Sequence, residues 1–158
     1  MILSRLLKLG DPQLYQVSSP VAKDELPGFS DTIDDLHQVI LEFRSVYRTG
    51  RAVAAPQIGV RKRIICWNIN HAVTIINPEL INLSKELMEV WDDCMCFPSL
   101  KVRVKRHASC TLNFMDECWQ PRQWHLKGDE SELIQHEVDH LDGILATQRA
   151  IDDKSFSY

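Results

Sequence analysis

In the stretch His136-Glu137-Val138-Asp139-His140 two imidazoles stand four residues apart, with a carboxylate directly after the first. On a helix, positions i and i+4 lie one above the other on the same face. Two histidines so placed can hold one metal ion, and the adjoining Glu137 can reach a water activated by that ion. These are the minimal parts for metal-assisted hydrolysis. The bland alternative is a solvated helix face, since Asp129, Glu130, Glu132 and Asp142 lie nearby. A catalytic site of this kind takes three protein ligands and keeps one position open, so a third ligand must come from outside the helix. Cys94 and Cys96 are both candidates, and spacing alone does not choose between them. A purely structural site would close with four ligands, and a fourth is not evident.

Around this stretch the pattern is helical from about Asp129 to Thr147, with Leu133, Ile134, Val138, Leu141 and Leu145 apolar. Before it come short β-type runs: Ile64–Trp67, Val73–Ile76, Cys110–Phe114 and Gln123–Leu126. Lys101-Val-Arg-Val-Lys105 alternates as a half-exposed strand does. Further upstream, Ile33, Leu36, Ile40, Phe43 and Tyr47 recur at helical spacing, with Ser30 or Asp31 available as a cap and Gly50 beyond the end. His37 lies off that stripe and carries no functional weight. Residues 11–30 are rich in Pro, Asp and Ser and read as irregular. Helix, several mostly antiparallel strands, then helix argues for an α+β fold. The second helix packs its apolar face on the sheets while its histidines face a cleft.

Composition narrows the function classes. A length of 158 residues suits one domain, 1–158, and 44% apolar with 25% charged residues is ordinary for a globular chain. A net charge of -4 argues against nucleic acid as the main partner. No apolar run approaches the length of a membrane span. Met1–Gly10 is basic, but its apolar part is short and interrupted, so it reads as the start of the fold rather than a targeting segment. Cys66, Cys94, Cys96, Cys110 and Cys118 make an odd count, which suggests free thiols in a reducing, cytoplasmic setting, or an organelle in a eukaryote. One further segment stands out. Gly50-Arg51-Ala52-Val53-Ala54-Ala55-Pro56-Gln57 gathers small residues just after a helix, which permits either close approach of a ligand to the backbone or tight packing against the second helix.

Taken together, Gly50 to Gln57, Asp92 to Cys96 and Gln135 to His140 resemble, in order and spacing, the three motifs of peptide deformylases. Gly10-Asp11-Pro12, Ile76-Asn77-Pro78-Glu79 and His140-Leu141-Asp142-Gly143 are also similar to that family, so the resemblance spans nearly the whole chain. It implies mostly antiparallel sheets around a central helix, and a divalent ion held by Cys94, His136 and His140. Fe(II) comes first, although Zn, Ni or Co suits the same mixed thiolate and imidazole set. It further implies that Glu137 acts as general base and passes its proton to the leaving amine, while the Gln57 amide and the Met95 backbone N–H stabilise the oxyanion. The implied substrate is a formyl-methionyl peptide or nascent chain, extended against Gly50, Arg51, Ala52 and Val53. Asp129, Glu132 and Leu133 would border the pocket for its first side chain.

The chain also departs from the family pattern. Asp92 replaces Glu, which shortens the reach of a possible ion pair. Asp93 replaces Gly, which strains the turn if φ is positive there and brings negative charge near the metal. Ala52 replaces the second Gly of the first motif, Arg51 replaces an aliphatic residue, and Cys96 replaces Ser. Asp129 and Glu132 stand where the family is apolar. These two acids suggest a polar or basic substrate preference, with Arg51 neutralising one of them, or else a merely wider pocket with both acids in solvent. The chain ends soon after Asp153. It lacks the basic C-terminal helix with which some relatives dock on the ribosome, so ribosome docking is not expected. A deformylase-like hydrolase of another N-acyl amide, and a non-catalytic metal- or peptide-binding relative, are the alternative readings.

Overall fold

A computed structural model describes the whole chain, Met1–Tyr158. Three short 3-10 turns lead into α1 (Ser30–Tyr47). Then come β1 (Ala52–Ala54), β2 (Ile64–Asn68), β3 (Ala72–Ile81), β4 (Leu87–Asp93), β5 (Lys101–His107), β6 (Ser109–Met115) and β7 (Pro121–Lys127). The chain closes with α2 (Asp129–Leu141), a further 3-10 turn and β8 (Phe156–Ser157). The strands form two antiparallel sheets, ordered β1-β2-β3-β6-β7 and β4-β5-β8. This is the α+β architecture expected from the sequence.

Strand periodicity explains how the five-stranded sheet serves both helices. Val53, Ile64, Cys66 and Ile76 point to one face and pack with Ile33, Leu36, Val39, Ile40 and Phe43 of α1. Their neighbours Ala52, Ala54, Ile65, Trp67 and Ile75 point to the other face and meet Leu133, Ile134 and Leu141 of α2. Successive side chains of a strand alternate between faces, so one run of apolar residues feeds two cores. A third cluster, with Val102, Val104, Cys94, Cys96, Phe97 and Leu145, fills the smaller sheet. Gln135 of α2 ties the helix to β5: its Oε1 accepts from His107 N–H, and its Nε2 donates to the His107 carbonyl, both at 2.9 Å. The helix therefore lies between the two sheets, and most of its residues are buried.

Several local expectations need correction. Ser30 is the first residue of α1, and neither it nor Asp31 caps the helix through its side chain. The 3-10 turn Lys23–Phe29 runs straight into the helix and supplies a backbone acceptor, so no polar cap is needed. At the other end Arg48, at φ 62°, takes the left-handed conformation in place of Gly50. α2 stops at Leu141 rather than near Thr147. Gly143 turns the chain there at φ +72° with its Cα against the Tyr15 carbonyl, where any Cβ would stand 2.6 Å from the oxygen. The strands β1, β4 and β8 have no counterpart among the sequence-based assignments. No helix is long and apolar enough to cross a membrane.

Candidate metal centre

The helical spacing of His136 and His140 does what the sequence requires of it: the two Nε2 atoms face each other at 3.1 Å. Cys94, just past the end of β4, brings its Sγ to 3.3 Å from His140 Nε2. The three donor atoms lie within 4.8 Å of one another and all three residues are buried. Cys96 stays outside this cluster, although its side chain is close by: Gln57 Nε2 donates to Cys94 Sγ at 3.7 Å and to Cys96 Sγ at 3.5 Å. The other end of the Gln57 amide accepts from Ala54 N–H at 2.8 Å, which fixes the amide with its donor toward the thiols.

A thiol and two imidazoles, buried and converging without a proton-sharing arrangement that satisfies them all, suit a borderline metal ion better than they suit one another. Two buried atoms beside the cluster, Glu137 Oε2 and His140 Nδ1, have no hydrogen-bond partner. An unpartnered carboxylate oxygen in such a place is costly unless it faces a ligand or water. The Met95 N–H also makes no intramolecular hydrogen bond, and the Met95 side chain lies against the backbone of Gly50. The residues present thus fit a single divalent ion with an adjoining carboxylate and two nearby N–H donors.

Behind the cluster runs a chain of alternating charges. His136 Nδ1 meets Asp92 Oδ2 at 2.9 Å, and Asp92 accepts from Arg106 at 2.8 Å. Arg106 donates to Asp139 at 2.5 Å, and Asp139 accepts from Arg149 at 2.6 and 2.8 Å. The shorter Asp92 side chain therefore still makes both contacts, and the loosened ion pair expected from the sequence is absent. Asp139, one residue before the second histidine, anchors α2 to this chain. A carboxylate on the free nitrogen of a ligating imidazole fixes its tautomer and orientation. Arg106 escaped the sequence reading, yet a signal existed. Extending the alternation of Val102 and Val104 by one step puts position 106 inward, and an inward Arg demands acids.

Electrostatics follow from this burial. Burial opposes the ionised form of Asp92, but His136 and Arg106 hold its carboxyl well below the usual range. Burial likewise opposes a charged His136, yet the facing Asp92 carboxylate draws it up to about 9. Burial and the adjacent His136 lower His140, and burial raises the Cys94 thiol. Ligation at Cys94 and His136 would therefore release protons. Burial pushes Glu137 up to about 7, against the pull of His136.

A cleft opens onto the cluster between β1 and α2. Gly50, Arg51, Ala52, Gln57, Met95, Glu132, Leu133 and Glu137 line it, as do Phe43, Thr49 and Asp93, which sequence reasoning had not placed there as lining. Two of the residues assigned to substrate binding lie elsewhere. Val53 is fully buried in the α1 core, because it points to the opposite face of β1 from Ala52, and Asp129 is exposed at the first turn of α2. Gly50 needs to be glycine: its φ is +125°, and a Cβ would press on Met95 and Phe43 at 3.2 Å. Its carbonyl is fixed by Arg44 at 2.9 and 3.2 Å. Ala52 causes no strain, since it sits in an extended strand paired with Trp67. Asp93 ends β4 paired with Lys101 and is not among the residues of positive φ, so the feared strain does not arise. Glu132 is buried and points into the cleft. Burial, and then Asp92, push it up to about 7, while Arg51 at 3.4 Å pulls the other way.

Comparison with known proteins agrees with this site. The family model described as polypeptide deformylase matches residues 3–156. Peptide deformylase 1 of Prochlorococcus marinus is 31% identical, over 100% of this chain and 86% of that relative. The crystal structure of a Synechococcus elongatus peptide deformylase with actinonin superposes at a TM-score of 0.84, with 28% identity, covering 94% of this chain and 79% of that one. An Acinetobacter baumannii peptide deformylase bound to Met-Ala-Ser superposes at 0.81, also 28% identical, covering 91% of this chain and 97% of that one.

Proposed function

The chain belongs to the polypeptide deformylase family, and from that membership we infer that it hydrolyses the formyl group from the N-terminal methionine of peptides, releasing formate. It is a metallo-hydrolase. The observation that carries the reading is the buried Cys94, His136 and His140 cluster with an unpartnered Glu137 oxygen beside it.

Cys94, His136 and His140 would hold one divalent ion, for which Fe(II) is our choice, with Zn, Ni and Co compatible with the same donors. Such an ion supplies Lewis acidity that makes water nucleophilic near neutral pH and polarises the formyl carbonyl. Glu137 takes the proton of the attacking water and delivers it to the amide nitrogen as the C–N bond breaks, so that formate and a free amine result. The Gln57 Nε2 group and the Met95 N–H stabilise the negative charge that develops on the formyl oxygen. Asp92 holds the His136 ring in the tautomer that leaves Nε2 free to ligate. β1 has β2 on one side only, so its Gly50–Ala52 end offers an extended peptide an edge to lie along. The catalytic unit spans 1–158. Five unpaired cysteines support a reducing compartment such as the cytoplasm, where the substrate would be a nascent chain.

Formate release from formyl-Met-Ala-Ser, by protein loaded with Fe(II) or Ni(II) without oxygen, tests the reading. Turnover that drops by roughly 10²–10⁴ in Glu137→Ala is expected. No formate from protein that holds one ion per chain would overturn it.

A further inference from the structure

The formyl carbon must lie at the metal cluster, and the first side chain of the substrate branches at the Cα, only two bonds from that carbon. A side chain of methionine length therefore ends about one helical turn, roughly 6 Å, from the His136-Glu137 position. One turn before His136 on the same face of α2 stands Glu132, and across the cleft from it stands Arg51. The two make a single long contact of 3.4 Å, with the Arg51 side chain 37% exposed and Glu132 only 9%. Glu132 cannot leave, because α2 is clamped between the sheets. Arg51 sits at the cleft mouth and can swing its long stem into solvent. Asp93 lines the same cleft and makes no ion pair of its own. The other cleft carboxylates are accounted for, Asp92 by Arg106 and His136, and Glu137 by the reaction. The pocket thus carries a fixed acid whose present partner is detachable.

We propose that Glu132, with Arg51 as its exchangeable partner and Asp93 lining the same cleft, makes this first-residue pocket selective for long side chains that end in a cation, lysine ahead of an apolar chain of equal length. This rests on the deformylase reading for the position of the substrate. An incoming ammonium replaces the Arg51 guanidinium at Glu132 and loses less by leaving water than it would in an apolar pocket. An apolar chain such as methionine is still admitted, but leaves the Arg51–Glu132 contact as the polar floor of its pocket.

The test compares formyl-Lys-Ala-Ser, formyl-Met-Ala-Ser and formyl-norleucyl-Ala-Ser as substrates of the metal-loaded protein. Calorimetric binding of the deformylated tripeptides gives a second readout that needs no turnover. We expect kcat/KM for lysine to exceed that for norleucine, and the ratio to fall at least about tenfold in Arg51→Ile/Glu132→Ile. Glu132→Gln, which keeps the shape, should lower it in the same direction. A wild-type ratio below one, or a ratio unchanged in both variants, would overturn the proposal. If no formyl peptide turned over while Lys-Ala-Ser still bound better than norleucyl-Ala-Ser and the variants erased that order, deformylation would be wrong and the pocket assignment would stand.

Discussion

The two walls of the cleft are built to different standards. Behind the metal cluster each charged group of the chain has a fixed partner: His136 on Asp92, Asp92 on Arg106, Arg106 on Asp139, and Asp139 on Arg149. Asp92 and Arg106 are almost wholly buried. On the substrate side the only ion pair is Arg51 with Glu132, long and half-open to solvent. Ligand geometry tolerates little error, so it is held from behind by a rigid chain of charges. The proposed selectivity rests on the Arg51–Glu132 pair, so this wall has room to differ from the family pattern while the proposed ligand set is kept.

The contrast is broken most severely by cutting the rigid wall. Arg106→Met leaves Asp92 buried beside an apolar side chain, and should cost about 3–5 kcal/mol in chemical denaturation. The same variant should weaken metal binding by roughly 10–100-fold in a competition titration with a chelator, because His136 loses its orientation. A stability change under about 1 kcal/mol would mean that the chain of charges is dispensable.

A smaller effect sharpens the other wall through pH. In the folded metal-free protein Glu132 and Glu137 are pushed to about 7 from 4.5, so the folded state holds more protons than the unfolded one between these values. Their contribution to stability then falls as pH rises from about 4.5 toward 7, while the lowered His140 and His37 contribute in the opposite sense as pH rises toward 6.5. The lowered Asp92 contributes its share above its ordinary value of 3.8, and the raised His136 loses its share only above 6.5, so neither disturbs this window much. Glu132→Gln should flatten the slope by on the order of 1–3 kcal/mol across melts at pH 4.5 to 6.5. An unchanged slope would place the Glu132 carboxylate in solvent. The smallest effect belongs to Asp93→Gly. With no positive φ to relieve, the added backbone freedom should cost about 0.4–1 kcal/mol, and a gain of more than about 1 kcal/mol would reveal strain there after all.

Legibility in the sequence follows the same division. Local pattern exposed both helices and five of the strands: the helices and β5 through one buried face, and β2 through a short continuous apolar run that feeds two cores. The histidine pair was legible for the same reason, since four-residue spacing on a helix is a geometric statement. β1 and β4 were not visible: β1 is three residues long and buried throughout, and β4 shows its alternation through charged residues such as Glu89 and Asp93. The choice of Cys94 over Cys96 was beyond spacing and came from the family resemblance; in the fold the donor atoms of Cys94, His136 and His140 lie together. The chain from Asp92 to Arg149 joins residues up to 57 positions apart, across β4, β5, α2 and the last 3-10 turn, and only the tertiary fold assembles it. The two acids before the histidines looked equivalent in the sequence. Three residues apart, they share nearly one helix face, but Asp129 opens α2 and stays in solvent while Glu132, one turn further in, is buried.

Cobalt loading tests the metal side most directly. With Co(II) in place of the native ion, the protein should bind one equivalent and show thiolate-to-metal absorption. Cys94→Ser should abolish that absorption, and Cys96→Ser should leave it in place. Absorption that survives Cys94→Ser and vanishes with Cys96→Ser would contradict the assignment of the ligand set.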